Sequence, residues 1–307
     1  MSYQSHRDCA ARYAALRPLF ASYDRPITVL ELGPAEGYFA EHIARDNPRA
    51  TVVMIERHKA LNRNLPGTIF LHREVVAEDL EHLARCEHFD VVLAMSVLHH
   101  FKEPARALRA VLTLGDVTVI ETPPREDTVA WNGRTVTLWD MLRPMDKTLL
   151  AETPGLAAGS LRPLWLLDTP KTSIEQPDLA RATRHPPGRS ETMGKMEIRA
   201  TPASKTVTFH RKGETRDWLP GINLLTYLWW GGVHPTVESV AKRVEATPLP
   251  EQHHGDMRPW NFVINRHGVY LIDAGDNRNA EPDAVAVKRT LAAIRDCGRY
   301  PDKELVP

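Results

Sequence analysis

The chain has 307 residues, of which 42% are hydrophobic and 25% are charged. These fractions are ordinary for a folded globular protein and exclude the collagen-like, intrinsically disordered and membrane classes. The 39 basic residues equal the 39 acidic residues in number, so no overall positive field favours nucleic acid as a partner. Three scattered cysteines and a polar N-terminus predict a cytoplasmic protein with no disulfide framework, no metal site and no membrane span.

Short helices alternate with buried strands over the first 120 residues. In chain order the predicted helices are 8–23, 38–46, 59–65, 78–84 and 104–111, and the predicted strands are 27–30, 51–55, 68–71, 89–94 and 117–120. Strands that alternate with helices favour a parallel sheet covered on both faces. The predicted fold class is therefore α/β, a doubly wound and mostly parallel sheet, with a smaller α+β region at the C-terminus.

Proline interrupts this alternation after Thr122. The best strand candidates beyond it are 164–167 and 206–210, and we expect the two to finish the sheet as an antiparallel edge pair. The intervening residues 168–194 are rich in charge and proline, which is typical of either a mobile loop or a lid over the substrate.

The last third of the sequence becomes regular again. Residues 222–244 predict a long apolar helix with possible breaks at Gly231-Gly232 and Pro235. A hairpin is expected beyond it, with strands at 262–265 and 269–272. These patterns divide the chain into a core at 1–125, a sheet-completing and substrate-covering insertion at 126–216, and a C-terminal region at 217–307.

The strongest motif is a strand that runs into a glycine turn and then a helix. The turn reads Glu31-Leu32-Gly33-Pro34-Ala35-Glu36-Gly37, and its glycines let the backbone approach a ligand closely. Glu56 lies 19 residues after Gly37 at the end of the next predicted strand. A carboxylate at that position can accept hydrogen bonds from both hydroxyls of a ribose.

This stretch resembles the class I, Rossmann-like S-adenosylmethionine-dependent methyltransferases over about residues 27–121. The resemblance implies S-adenosylmethionine as the cofactor, bound by Glu31, Gly33, Pro34, Gly37 and Glu56. An NAD-binding unit would have glycine where Ala35 stands. The family's adenine partner would fall in the segment 73–75, but its usual aspartate is absent there, so that contact stays open.

A second match to this family lies in the segment 89–101, which is similar to its fourth strand. In relatives the end of this strand borders the reacting sulfur, which implies that Met95 and Ser96 contact the cofactor. Methyl transfer needs alignment and, for a protonated acceptor, a base. Histidine is the natural base near neutral pH, so we expect His99 or His100 in this role, with Glu121 or Asp256 as weaker candidates.

The C-terminal region carries another pattern, His254-Gly255-Asp256 followed by Asn261 and, after the hairpin, Asp273. It resembles the catalytic loop of protein-kinase-like phosphotransferases, as in methyltransferase-kinase fusions. Such a site would bind magnesium only if the motif is active. No glycine-rich loop or lysine strand precedes the pattern, although Lys195 or Lys205 has the right position for that lysine.

Three interpretations of this pattern remain: a working kinase, a scaffold or acceptor pocket, and a chance match. In the second, Asp256, Arg258, Trp260, Asn261 and Asp273 line the acceptor site. The sequence thus predicts methyl transfer to an unidentified small molecule or glycan, with nucleic acid a weaker option. The alternatives are a bifunctional methyltransferase and phosphotransferase, and a non-catalytic cofactor-binding subunit.

Overall fold

The computed structural model describes residues 8–58, 65–124, 134–155, 160–168, 196–209, 214–247, 259–272 and 283–295. Within them the helices are α1 (Cys9–Ala21), α2 (Tyr38–Asp46), α3 (Ala77–Cys86), α4 (Pro104–Leu114), α5 (Arg134–Leu142), α6 (Leu224–Trp229), α7 (Val237–Glu245) and α8 (Asp283–Arg295). Short 3₁₀ turns lie at Leu98–His100 and Pro259–Asn261.

Fourteen strands are present in the same ranges. They are β1 (Ile27–Leu32), β2 (Ala50–Glu56), β3 (Thr68–His72), β4 (Phe89–Met95), β5 (Gly115–Glu121), β6 (Thr148–Pro154), β7 (Leu161–Asp168), β8 (Met196–Ala200), β9 (Lys205–Phe209), β10 (Glu214–Asp217), β11 (Ile222–Asn223), β12 (Gly232–His234), β13 (Phe262–Asn265) and β14 (Gly268–Leu271).

Eight of these strands form the main sheet, in the order β12-β3-β2-β1-β4-β5-β7-β6. The five strands from β3 to β5 are parallel, and β12, β7 and β6 pair antiparallel to their neighbours. The predicted α/β, doubly wound fold is confirmed. Because β1 is flanked by β2 on one side and β4 on the other, the strand order reverses there, where open α/β sheets bind ligands.

Apolar side chains cover both faces of this sheet, which explains the unbroken apolar runs of its central strands. On one face α1 and α2 pack against Val29 and Val52. On the other face α3 and α4 pack against Leu30 and Val53, together with residues of α6, α7, β13 and α8. The C-terminal segments therefore share a single apolar core with the first half of the chain.

Of the two strands predicted to pair at the edge of the sheet, 164–167 lies there and 206–210 does not. The strand at 164–167 is present and pairs antiparallel with β5, but its outer neighbour is β6. The strand at 206–210 corresponds to β9, which pairs with β8 and β10 in a separate sheet. The polar and half-exposed sequence of β6 hid it, because an edge strand buries little of its surface.

The predicted long helix at 222–244 consists of several elements. It contains β11, α6, β12 and α7, with the interruption at the expected Gly231-Gly232. At Gly232 an added Cβ would lie 2.1 Å from the Tyr227 ring. The predicted hairpin is present as β13 and β14.

Two predicted segments lie largely outside the described residues. They are the helix at 59–65 and the loop or lid at 168–194. Among the described residues, no helix is long and apolar enough to cross a membrane.

Candidate functional site

A cavity of about 390 Å³ opens where the parallel strands end. Its walls come from the residues that follow β1, β2, β3 and β4, because the carboxyl ends of parallel strands meet at one edge of a sheet. The described lining residues are Leu32, Gly33, Ala35, Ile55, Glu56, Arg57, His58, Arg73, Glu74, Val75, Met95, Ser96, Val97, His100 and Phe101.

The glycine turn forms the floor of this cavity on the β1 side. Gly33 has φ +64°, and its N–H donates to the carbonyl of Ile55 at 3.0 Å. A Cβ at Gly33 would also lie 3.0 Å from Val97 Cγ2. Gly37 caps α2 with φ +75°, and a side chain is strained in this left-handed region. The glycines thus let the backbone turn sharply where it lines the cavity.

Glu56 is the carboxylate at the end of β2, and it lines the cavity. Its Oε1 accepts hydrogen bonds from the backbone N–H groups of Arg57 at 2.8 Å and His58 at 3.1 Å. These bonds fix the carboxylate in place and leave Oε2 uncommitted among the described residues. A fixed carboxylate of this kind fits a pair of vicinal hydroxyls, as in a ribose.

Glu31 lies beneath the turn, fully buried. Burial raises the pKa of this carboxyl to about 8, and the neighbouring Glu56 adds to the effect. The nearby backbone N–H of Ala40 opposes this rise in pKa, whereas Glu31 Oε2 has no hydrogen-bond partner among the described residues. A buried carboxylate oxygen without a partner is costly, and an ammonium donor beside the turn would satisfy it. This is a fit for the amino-acid end of S-adenosylmethionine.

Ser96 follows β4 with φ +55° and is 5% exposed at the cavity wall. Its Oγ donates a hydrogen bond to Glu121 Oε2 and accepts one from Arg162 Nη1 at 2.9 Å. Its N–H donates to the carbonyl of Glu121 at 3.1 Å. A non-glycine residue held in the left-handed region persists only where its surroundings determine it fully. Met95 lies beside it on the same wall.

A buried polar network extends this arrangement away from the cavity. Arg12 on α1 is 1% exposed, and its Nη2 lies 2.7 Å from Glu121 Oε1. Thr153 on β6 accepts from Arg12 Nε at 3.3 Å and donates to Glu121 Oε1 at 3.2 Å. Sequence reasoning missed this network. The signal was an arginine on the apolar face of α1, in helical spacing with Cys9 and Leu16.

The two candidate bases lie together in the turn after β4. His100 lines the cavity, whereas His99 is buried with only 3% of its surface exposed. Their ring centroids are 4.3 Å apart. Arg134 on α5 donates to the carbonyl of His100 at 3.2 Å. The geometry therefore puts His100 at the cavity surface and His99 behind it.

The segment 73–75 forms the part of the cavity wall that follows β3. The N–H of Arg73 donates to the carbonyl of Glu56 at 3.0 Å, which joins this wall to the end of β2. Its Nη2 lies 2.6 Å from Asp79 Oδ1. This part of the wall thus contains an arginine and no aspartate.

The residues of the kinase-like pattern are only partly described. Asp256, Arg258 and Asp273 lie outside the described residues. Trp260 is 5% exposed and packs against Leu225, and Asn261 is 1% exposed. Neither residue lines the described part of the cavity.

Lys205 also lies away from the cavity, at the opposite ends of the strands. Its Nζ is 3.3 Å from Asp90 Oδ1 and 3.1 Å from Asp116 Oδ2, near the starts of β4 and β5. Burial lowers the pKa of Lys205 to about 8. Among the described residues, no group of three or more histidine, cysteine, aspartate and glutamate side chains is arranged to hold a metal ion.

Comparison with known proteins gives a family and a set of structural neighbours. A family model described as a methyltransferase domain matches residues 3–151. No curated protein matches the chain. Among solved structures, the bifunctional kinase-methyltransferase WbdD is 18% identical, with a TM-score of 0.45 over 87% of this chain and 76% of that chain.

Two further structures cover about half of the chain. The N-terminal domain of EvdMO1, solved with SAH and D-fucose, is 16% identical with a TM-score of 0.40, over 52% of this chain and 82% of that chain. The N-methyltransferase NodS from Bradyrhizobium japonicum WM9, in complex with S-adenosyl-L-homocysteine (SAH), is 14% identical with a TM-score of 0.39, over 53% of this chain and 87% of that chain. The family match falls on the part of the chain that builds the cavity: residues 3–151 form a methyltransferase domain.

Proposed function

We propose that the cavity between the glycine turn and Ser96 holds S-adenosylmethionine and that the enzyme methylates a small molecule or a glycan. The observation that carries the proposal is that Gly33 and Glu56 line the same cavity. A glycine turn with left-handed backbone angles lines the cavity beside a carboxylate fixed by two backbone hydrogen bonds. Bound there, S-adenosylmethionine supplies an activated methyl group.

The chain's own residues would divide the work by position. Glu56 accepts from the ribose hydroxyls, and Glu31 receives the ammonium group of the cofactor. Met95 and Ser96 flank the end of β4 and align the reacting groups. His100, with His99 behind it, takes a proton from an acceptor that carries one. An acceptor without such a proton needs no base.

The acceptor class rests on charge. A balanced net charge gives no field that would attract a polyanion such as nucleic acid. The burial of Trp260 and Asn261 gives no support to an acceptor pocket there, so their substrate role stays a prediction, as do those of Asp256, Arg258 and Asp273. Magnesium and a cytoplasmic location also remain predictions.

Titration calorimetry with SAH tests the proposed cofactor site. We expect Gly33→Val to abolish binding, because a branched side chain blocks the turn, and Glu56→Ala to weaken it by at least about tenfold. Glu41→Ala, an exposed acidic residue on α2, is the control and should bind like the wild type. Wild-type affinity in both cavity variants would refute the site.

The acceptor is found by mass spectrometry. Purified enzyme with trideuteromethyl-labelled S-adenosylmethionine is offered pools of small metabolites and glycans, and separately protein and RNA. A mass gain of one labelled methyl group in a small molecule or glycan is the expected result. Labelling confined to protein or RNA would overturn the acceptor class and leave the cofactor site standing.

A further inference from the structure

The cavity wall after β3 is attached to the C-terminal segment through one side chain. Arg73 lines the cavity, and its Nη1 donates to the carbonyl of Trp229 at 3.1 Å. The same guanidinium lies 4.9 Å from the centre of the Trp230 ring, and its Nη2 lies 2.6 Å from Asp79 Oδ1. One wall residue is thus held from α3 and from the end of α6.

The backbone makes the same connection. The N–H of His72 donates to the carbonyl of Gly231 at 3.0 Å, and β12 then pairs antiparallel with β3. The next N–H, that of Arg73, donates to Glu56. The C-terminal strand therefore borders the strand that carries the wall, and the wall borders the carboxylate proposed for the ribose.

The sequence at this junction is suited to a close approach. Gly231 has φ +64°, and a Cβ there would lie 2.9 Å from the carbonyl oxygen of His72. Glycine accepts both the backbone angle and the short distance, whereas any other residue would push the two segments apart. The turn between α6 and β12 thus lets the chain reach the edge of β3.

We propose that Arg73 contacts the adenine end of the cofactor and that Trp229 and Trp230 of the C-terminal segment hold it in its working conformation. This rests on the proposed function, because it places S-adenosylmethionine in the cavity. A side chain anchored at three points loses little conformational entropy when a ligand packs on it. A guanidinium also offers N–H donors, and the ring nitrogens of adenine accept them.

The proposal assigns a role to the C-terminal segment that differs from acceptor recognition. It makes residues 229–231 part of the support for the cofactor pocket. A substitution of Trp230 should then alter the affinity for the cofactor, although Trp230 is not among the described residues that line the cavity. The effect should also be the same for any ligand that carries the adenosine group.

The first test compares two arginines that ion-pair with α3. Arg73→Met should raise the dissociation constant for SAH about tenfold. The control is Arg106→Met, which breaks ion pairs to Glu78 and Glu81 of the same helix, outside the described cavity lining. We expect Arg106→Met to keep the wild-type SAH affinity. Equal losses in both variants would reduce Arg73 to a general stabiliser of α3 and overturn the proposal.

The second test locates the effect on the ligand. The probe is 5′-methylthioadenosine, which carries adenine and ribose but lacks the amino-acid end. Arg73→Met should weaken its binding by the same factor as that of SAH. A loss seen with SAH but not with this probe would place Arg73 at the other end of the ligand and contradict the inference.

The third test approaches from the C-terminal side with conservative changes. Trp230→Phe keeps an apolar ring and should weaken SAH binding about threefold, and the double variant with Arg73→Met should bind no worse than Arg73→Met alone. Trp218→Phe is the control, since Trp218 also packs on a buried cation, Lys205, at 5.1 Å. Additive losses would show that the C-terminal segment does not act through Arg73.

Two outcomes separate the inference from the proposed function. Wild-type SAH affinity in Glu56→Ala would overturn the proposed function. Wild-type SAH affinity in Arg73→Met, with weakened binding in Glu56→Ala, would overturn the inference alone.

Discussion

The guanidinium of Arg12 lies 2.7 Å from the carboxylate of Glu121, and both side chains are buried. Arg12 belongs to α1 and Glu121 ends β5, next to the cavity wall formed by Ser96. The ion pair therefore connects the helix that covers one face of the sheet to the strained residue at the site. A buried charge without its partner is strongly destabilising, so the pair is open to a direct test.

Arg12→Met should lower the free energy of unfolding by about 3 kcal/mol, because it removes a buried cation that lies 2.7 Å from the Glu121 carboxylate. It should also slow methyl transfer, since Glu121 orients Ser96. Urea unfolding followed by circular dichroism measures the first effect. Arg17→Met is the matched control on α1: that arginine is 69% exposed and should contribute less than about 0.5 kcal/mol. Equal unfolding midpoints for the two variants would contradict the assignment.

Glu31 should make stability depend on pH. Its pKa is raised to about 8 by burial, against 4.5 as the ordinary value, so between these values the folded state holds a proton that the unfolded state has lost. The contribution is complete below about pH 4.5 and declines as pH rises towards 8, by at most about 1.4 kcal/mol per pH unit. Glu31→Gln removes it, so the variant should gain stability relative to the wild type from pH 5 to pH 8. Parallel unfolding curves across that range would argue against a buried, protonated Glu31.

The same carboxyl should release a proton when the cofactor product binds. In the proposed binding mode the ammonium group of SAH would lie beside Glu31 and would favour the ionised form of its carboxyl. Calorimetry of SAH binding at pH 7 in two buffers of different ionisation enthalpy measures the proton released. We expect a net release in the wild type that disappears in Glu31→Gln. The same proton count in both would separate Glu31 from the ligand.

The histidine turn should affect chemistry and leave cofactor binding intact. We expect His100→Ala to keep the wild-type dissociation constant for SAH and to lower the turnover number about 100-fold for an acceptor that carries a proton. His99→Ala should also bind SAH normally and reduce turnover, through loss of the ring packed on His100. Both turnover numbers are measured as transfer of the labelled methyl group from S-adenosylmethionine to the acceptor. Unchanged turnover in both variants would remove histidine from the mechanism.

The buried lysine at the far end of the sheet should affect stability alone. Lys205→Met leaves Asp90 and Asp116 without this cation and should lower the free energy of unfolding by about 3 kcal/mol. It should not change the affinity for SAH, because Lys205 lies at the opposite ends of the strands. Lys242→Met, an exposed residue paired with Glu238 at 4.0 Å, is the control. A loss of SAH binding in Lys205→Met would contradict this separation.

The sequence predicts the first half of the fold well because its signals there are local. Tyr38–Asp46 is a helix with the expected bounds, and each β-branched run up to Ile120 is a strand. The glycine turn and Glu56 could be matched to the family motif for the same reason, because each lies within a short segment of sequence. Such elements can be predicted from local sequence without knowing which residues pack against them.

The missed elements depend on pairing between distant segments. β12 has three residues and exists because Gly231 meets the end of β3, and no periodicity marks so short a strand. The sequence does not predict β6, because this strand forms by pairing with β7 and its own residues show no regular burial pattern. The network at Ser96 joins residues from α1, β5, β6 and β7, and a single sequence does not show which polar residues far apart in the chain will be buried together.

The central claim is that S-adenosylmethionine binds where β1 turns into α2. A crystal structure of the wild-type enzyme grown with SAH tests it most directly. The account predicts density for SAH in this cavity, with the ribose hydroxyls within about 3.2 Å of Glu56, the adenine beside Arg73 and the sulfur beside Met95 and Ser96. Well-defined SAH bound at any other place on the chain would contradict the account.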